Sequence, residues 1–192
     1  MHTAAYDSHV ITDDGETILC ALDENGNPTD KFYSREYVHQ NSIWHGEVAL
    51  WIINPKTKQV LLQRRSPNKK HLPNKIGLCA GHIDGAETPE DALKHEAMEE
   101  IGLDVSKYDV KLLVVLKRNE PRNKRFQYQY CIVAEIPIKK FKIDTAEVAE
   151  VLYMDYETLK TKIRNNEPEF TFSWNSEYEK LFSELDKIID NR

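Results

Sequence analysis

Glu96, Glu99 and Glu100 lie three and four residues apart, a spacing that a helix gathers onto one side. At about 100° per residue their carboxylates share an arc of roughly 100°. Leu93, Ala97 and Ile101 fall on a separate apolar stripe, and Ala92, one turn before Glu96, is too small to block the acidic arc. Such clustering works against the helix. Like charges at these spacings cost about 0.2–0.5 kcal/mol per pair. Glu99 and Glu100 also fall in the last turn, where the helix dipole disfavours anions by about 0.3–1 kcal/mol. On the helix alone, a solvated acidic face accounts for the pattern equally well. A hard divalent cation reverses the balance, because clustered carboxylate oxygens are its preferred ligands. Magnesium held by a few carboxylates and by substrate phosphate suits phosphate-ester or diphosphate chemistry.

The helix that carries these residues marks its own ends. Thr88 is the N-cap, Pro89 suits the first helical position, and Glu90 and Asp91 sit well in the first turn. Gly102 closes it as a C′ glycine. Upstream, Glu47 to Asn54 reads as a buried strand, Pro55 to Lys58 as a turn and Gln59 to Gln63 as the returning strand. Residues 64–75 form a basic loop, and Ile76 to Ala80 is a short apolar strand leading to Gly81. Val110 to Leu116, Phe126 to Ile136 and Val148 to Met154 read as strands, and Tyr156 to Ile163 as a helix. Glu177 to Ile189 is a helix whose Tyr178, Leu181, Phe182, Leu185 and Ile189 form a packing face. Near the N-terminus, Asp23 to Pro28 reads as a tight connection between two short strands. No repeat or low-complexity linker divides the chain. Residues 1–192 are therefore read as one α/β (α+β) domain, with residues 1–40 as an N-terminal strand extension.

Bulk properties narrow the function. A formal charge of −6 argues against a general nucleic-acid binder, because counterion release needs a basic surface. Cys20, Cys79 and Cys131 are odd in number, widely spaced and without zinc-type pairing, which reads as reduced thiols in a cytoplasmic protein. Met1 to Asp14 lacks the basic-then-apolar order of a signal peptide. No apolar stretch approaches the ~20 residues that span a bilayer, so no membrane partner is expected.

The segment Gly81-His82-Ile83-Asp84-Gly85-Ala86-Glu87, followed by seven residues and then His95-Glu96-Ala97-Met98-Glu99-Glu100-Ile101-Gly102-Leu103, resembles the Nudix box. Every fixed position matches except one: His95 stands where that family has Arg. The resemblance implies the Nudix fold, a mixed β-sheet sandwiched between helices with the box (81–103) as a loop–helix–loop. It implies that Glu96, Glu99 and Glu100 are catalytic and bind Mg2+ or Mn2+, with the backbone of Ala80 adding a ligand. Gly81, Glu87 and His95 would support the loop and the ligands. The implied reaction is attack of water on phosphorus in a nucleoside diphosphate derivative or another small organic diphosphate, and a homodimer is one implied assembly. For His95, the expectation is a single hydrogen bond to Glu96 in place of the family's forked contact.

A second resemblance lies outside the box. Asp23-Glu24-Asn25-Gly26, Arg35, His39, Trp44-His45, Leu61 to Ser66, Lys69, Pro73, Ala80-Gly81-His82 and Thr171-Phe172-Ser173-Trp174 are similar to the branch related to isopentenyl diphosphate isomerase. The rival activity that this implies is the isomerase reaction itself. Three departures speak against it. Ala80 stands where that enzyme needs a cysteine, and Cys79, one place off, points to the other face of a strand. Gln127 and Gln129 occupy the strand that carries the isomerase's acidic residues, and glutamine cannot donate or take a proton at carbon. Finally, isomerases tend to erode the box, whereas this chain keeps all three helix glutamates, which equally disfavours a third alternative, a non-catalytic nucleotide sensor.

Other residues have two readings each. His39, His45 and His82 could form a second metal site, as the isomerase's histidines do, or be ordinary hydrogen-bonded histidines. Arg64, Arg65 and Lys69 are candidates for substrate phosphate, or a solvated basic loop. The run from Lys117 to Arg125 reads as a solvated loop. Glu147 and Glu150 are alternative candidates for the late-loop glutamate that family members use, and Trp174 reads as a core residue rather than a base-stacking one.

Overall fold

In the computed structural model, which describes residues 17–190, the longest buried strand is the spine of a seven-stranded sheet. This is β3 (His45–Asn54), in which eight of ten positions are buried, and sequence explains why: Val-Ala-Leu-Trp-Ile-Ile can pack on both faces. Numbering follows chain order from the N-terminal hairpin β1 (Ile18–Leu22) and β2 (Pro28–Ser34). The turn between them is held by Asp23, whose carboxylate accepts from the backbone N–H groups of Asn25 and Asn27, while Gly26 takes φ +87°. Met1 to Asp14, which lacks signal-peptide features, lies outside the described residues.

Around β3 the partners are β4 (Gln59–Arg65), antiparallel at its C-terminal end, and β6 (Cys79–His82), antiparallel at its N-terminal half. On the other edge β8 (Asn123–Val133) runs parallel to it, followed by β7 (Val110–Glu120) antiparallel. β5 (Ile76–Gly77) and β9 (Val148–Asp155) both pair with β4. The helix α2 (Pro89–Ile101) covers one face of the sheet through Leu93, Ala97 and Ile101. The helices α3 (Tyr156–Arg164) and α4 (Glu177–Asp190) cover the other through Leu159, Ile163, Leu181, Phe182 and Leu185. This mixed sheet between helices is the α/β arrangement that the box resemblance implies.

Four details differ from the sequence reading. The strand expected over Ile76 to Ala80 is two strands, because the chain leaves β4 at Gly77 and joins β3 at Cys79. β8 stops at Val133 rather than Ile136, since its parallel partner β3 ends at Asn54. A short helix α1 (Arg35–Gln40), capped by Ser34, has no counterpart in that reading. The basic run from Lys117 to Arg125 is the end of the β7–β8 hairpin, and Arg118 and Arg125 are buried in it rather than solvated. Carboxylates that the hairpin brings alongside, Glu120 and Glu47, make that burial tolerable.

Candidate metal centre

α2 begins and ends as its sequence demands. Thr88 accepts from the Asp91 N–H, and Gly102 takes φ +63° with its own N–H on the last turn. Packing of Leu93, Ala97 and Ile101 on the sheet turns Glu96 and Glu100 inward, over the edge where β6 lies, while Glu99 stays exposed. Gly81 is where Glu96 lands. A Cβ on Gly81 would lie inside the Glu96 carboxylate, so this glycine exists for close approach, not for an unusual φ. Glu100 is buried, and its Oε2 accepts from Gln63 Nε2 at 2.7 Å and from the Ala80 N–H at 3.2 Å.

The electrostatics of these two glutamates differ. Burial, followed by repulsion from Glu100, Asp84, Glu99 and Glu147, pushes Glu96 up to about 8. No donor offsets it among the described residues. Burial raises Glu100 as well, but donors from Gln63, Cys79 and Ala80 and the charge of Arg65 pull it back. Asp84 is raised by burial and by Glu87. Several carboxylates therefore converge on one half-buried point with too few cations to balance them. That donor set, all oxygen and all anionic, fits a hard divalent ion. Glu96 and Glu100 would hold it, Glu99 and Glu147 lie near enough to raise Glu96, and Asp84 is a further carboxylate that sequence reasoning did not single out.

Period-two alternation sorts the other candidates. Gln63 and Arg65 share the α2 face with Leu61, and Arg65 acts on Glu100. Lys69, in the following loop, pairs with Glu147. Arg64 points to the opposite face and pairs with Glu150 at 2.7 Å, so those two are not brought to the carboxylates. His95 corrects an expectation: its Nδ1 lies 2.6 Å from Glu87 Oε1, and it makes no hydrogen bond to Glu96. Adjacent helix positions diverge by about 100°, so the imidazole stays on the exposed side of α2 while Glu96 turns inward. There it ties the box loop to the helix. Gln63 and Cys79 were missed as site residues. The available signal was a polar residue ending an apolar strand on the same face as Leu61.

The other face of the sheet gathers a second group. β3–β6 pairing and α1 bring His39, His45 and His82 together, with ligand atoms within 4.8 Å of one another and His39 Nε2 3.1 Å from His82 Nε2. His45 is buried, its Nδ1 on the Ile43 carbonyl at 3.0 Å and its Nε2 without a partner. Burial first, then neighbouring cations and histidines, lowers all three, His45 to about 4, so they are neutral imidazoles that can ligate a metal. Ala80 faces the core on this side and Cys79 faces α2. Gln129 accepts from Trp51 Nε1 at 2.7 Å and Gln127 donates to Glu47 at 3.0 Å. Trp174, partly buried, stacks on Tyr178 and Phe182 at the edge of the core.

The close fit at Gly81 gives a direct prediction. Gly81→Ala must displace either Glu96 or β6, and a shift of this size near reacting groups costs on the order of 10²-fold. Manganese titration of the purified variant should show at least tenfold weaker binding than the parent; unchanged affinity would mean that Glu96 does not work from this position.

A sequence model of the NUDIX domain matches residues 44–173, and the chain belongs to that family. It is 30% identical over 171 residues to Nudix hydrolase 3 of Arabidopsis thaliana, a match covering 84% of this chain and 22% of that protein. Shorter matches, each 33% identical, are to a prenyl-diphosphate phosphatase of Methanosarcina mazei (40% of this chain, 41% of that one) and an 8-oxo-dGTP diphosphatase of Escherichia coli (30% and 43%). The matched region spans less than half of each relative's length. Among solved structures, a protein of Deinococcus radiodurans superposes with a TM-score of 0.66 at 16% identity, covering 86% of this chain and 98% of that one. A MutT protein of Methanosarcina mazei gives 0.53 at 20% identity, covering 78% and 96%. At such identities these two establish the fold alone.

Proposed function

We propose that this chain is a hydrolase that uses Mg2+ or Mn2+ to cleave the diphosphate linkage of a nucleoside diphosphate derivative or another small organic diphosphate. The observation that carries the proposal is the convergence of Glu96 and Glu100 on Gly81 and Ala80, with Glu96 uncompensated. When bound, the cation activates water and neutralises charge on the bridging and leaving oxygens. The chain's own residues do the rest. Glu96 and Glu100 would hold the cation, Glu147, paired with Lys69, would orient or deprotonate the attacking water, and Arg65 and Lys69 would meet the incoming phosphates. Two relatives support a small molecule with a phosphoanhydride linkage as substrate, one named for a prenyl diphosphate and one for the triphosphate 8-oxo-dGTP. A cytoplasmic setting fits three cysteines that no disulfide joins.

Kinship with the isomerase branch is a second proposal, favoured by one observation, the three clustered histidines. It does not bring the isomerase reaction with it, because Gln127 and Gln129 are neutral and already engaged by Glu47 and Trp51. A panel of nucleoside diphosphate derivatives, prenyl diphosphates and isopentenyl diphosphate, incubated with Mg2+ or Mn2+ and read by product mass, tests both. Metal-dependent cleavage that disappears in Glu96→Gln and Glu100→Gln is the expected result. Rearranged isopentenyl diphosphate without cleavage would overturn the hydrolase.

A further inference from the structure

The substitution of Arg by His at position 95 leaves a question that the geometry answers. His95 holds Glu87, and so no box residue fixes the catalytic carboxylates. Glu100 is nevertheless the better fixed of the two inward glutamates, and its supports come from β4 and β6. Gln63, buried at 2% exposure, donates its amide to Glu100 Oε2 at 2.7 Å, and the Ala80 N–H donates to the same oxygen at 3.2 Å. The Cys79 thiol lies beside the same carboxylate and helps offset its burial. Two N–H donors on one oxygen occupy its lone pairs and leave Oε1 as the atom available to a cation. Among the described residues the Gln63 side chain makes no other hydrogen bond: its Oε1 is buried without a partner, a cost that a purely structural side chain at this strand position would avoid by being apolar.

We propose that Gln63 is a positioning residue of the hydrolytic metal centre, holding Glu100 by Oε2 so that Oε1 meets the cation. The proposal rests on the reading of Glu100 as a metal ligand. With His95 turned to Glu87 and Glu96 without a donor among the described residues, the orienting contact that the site does hold is the one on Glu100, and it comes from the strand beneath the helix.

The test is Mn2+ binding by calorimetry to the metal-free parent, Gln63→Met, Glu100→Ala and the double variant, with thermal melts of each metal-free protein as a control for folding. Methionine keeps the volume and removes the donor. Loss of an outer contact to a metal ligand weakens affinity about 10–100-fold, so Gln63→Met should bind Mn2+ at least tenfold more weakly while melting within a few degrees of the parent. In the Glu100→Ala background the same substitution should cost less than twofold, since its object is gone. Raising Mn2+ should restore most of the lost turnover. Unchanged affinity in Gln63→Met, or an equal loss with and without Glu100, would overturn the proposal. A parent that binds no Mn2+ at all would instead overturn the reading beneath it. If Gln63→Met does not fold, the parent decides alone: the Gln63 side-chain amide resonances should shift on Mg2+ binding, along the same isotherm, and a static amide would overturn the proposal.

Discussion

Glu96→Gln should abolish metal-dependent cleavage and, in the same molecule, stabilise the metal-free protein at pH 8. Both effects follow from one fact, that Glu96 is a buried carboxylate among carboxylates. Removing one anionic group from a centre built to balance developing charge costs on the order of 10²–10³ in kcat. Stability moves the other way. Glu96 is pushed from an ordinary 4.5 to about 8, so the folded state binds its proton more tightly than the unfolded state does. For an acid shifted upward, metal-free stability falls as pH rises from about 4.5 and the loss is complete above about 8. Glu100 and Asp84 are raised and act in the same direction. The buried histidines act oppositely: their lowered values cost stability as pH falls below 6.5.

Between pH 6.5 and 8, then, the histidine contribution fades and the raised carboxylates come to set the slope. Thermal melts of the metal-free parent should fall across this window and those of Glu96→Gln should be flatter, with a rise on the order of 5 °C over the parent at pH 8. Adding Mn2+ should raise the melting temperature of the parent and leave that of the variant nearly unchanged, because only a bound ligand shifts the equilibrium. A Glu96→Gln variant that cleaves within a factor of a few of the parent rate would end this account of the site. One that melts lower than the parent at pH 8 without metal would end the argument from charge.

What the sequence disclosed here was what depends on local rules. Thr88, Pro89 and Gly102 bound α2 because capping is decided by residues in contact along the chain. The shared arc of Glu96 and Glu100 was legible beside the apolar stripe of Leu93, Ala97 and Ile101, but their inward turn was not, because spacing alone fits a solvated acidic face equally well. Gln63 was not, because its meaning depends on β4 passing beneath the C-terminal end of α2, a contact between residues 37 positions apart. The direction of His95 was misread for a similar reason: Glu87 is its neighbour only once the box loop folds back. The three histidines could be noted but not joined, since a helix that went unread and two paired strands bring them together.

The misread hairpin supplies the second large effect. Arg118 is fully buried, donates to Glu120 and to the Ser173 carbonyl, and lies 4.7 Å over the Tyr178 ring. It therefore ties β7 to the segment that leads into α4. Burial raises Glu120, yet Arg125 and Arg118 together hold it below its ordinary value, so the pair is charged. Arg118→Leu would leave Glu120 with Arg125 alone, at 3.0 Å, and free the Ser173 carbonyl of its donor. Breaking a buried pair from one side costs about 3–5 kcal/mol, which at about 2–4 °C per kcal/mol for a chain of this size lowers the melting temperature by roughly 6–20 °C. Arg118→Lys should fall in between, since an ammonium keeps the charge but neither forks between two acceptors nor stacks on a ring. Substituting both partners, Arg118→Leu with Glu120→Leu, should recover part of the loss, because the half-compensated anion is removed along with its partner and Arg125 keeps Glu47. Calorimetry on the three proteins separates these terms. A single Arg118→Leu variant that loses less than about 1 kcal/mol would show that the network is spectator charge, and the C-terminal helix would then owe its place to its apolar face and its pairs with α3.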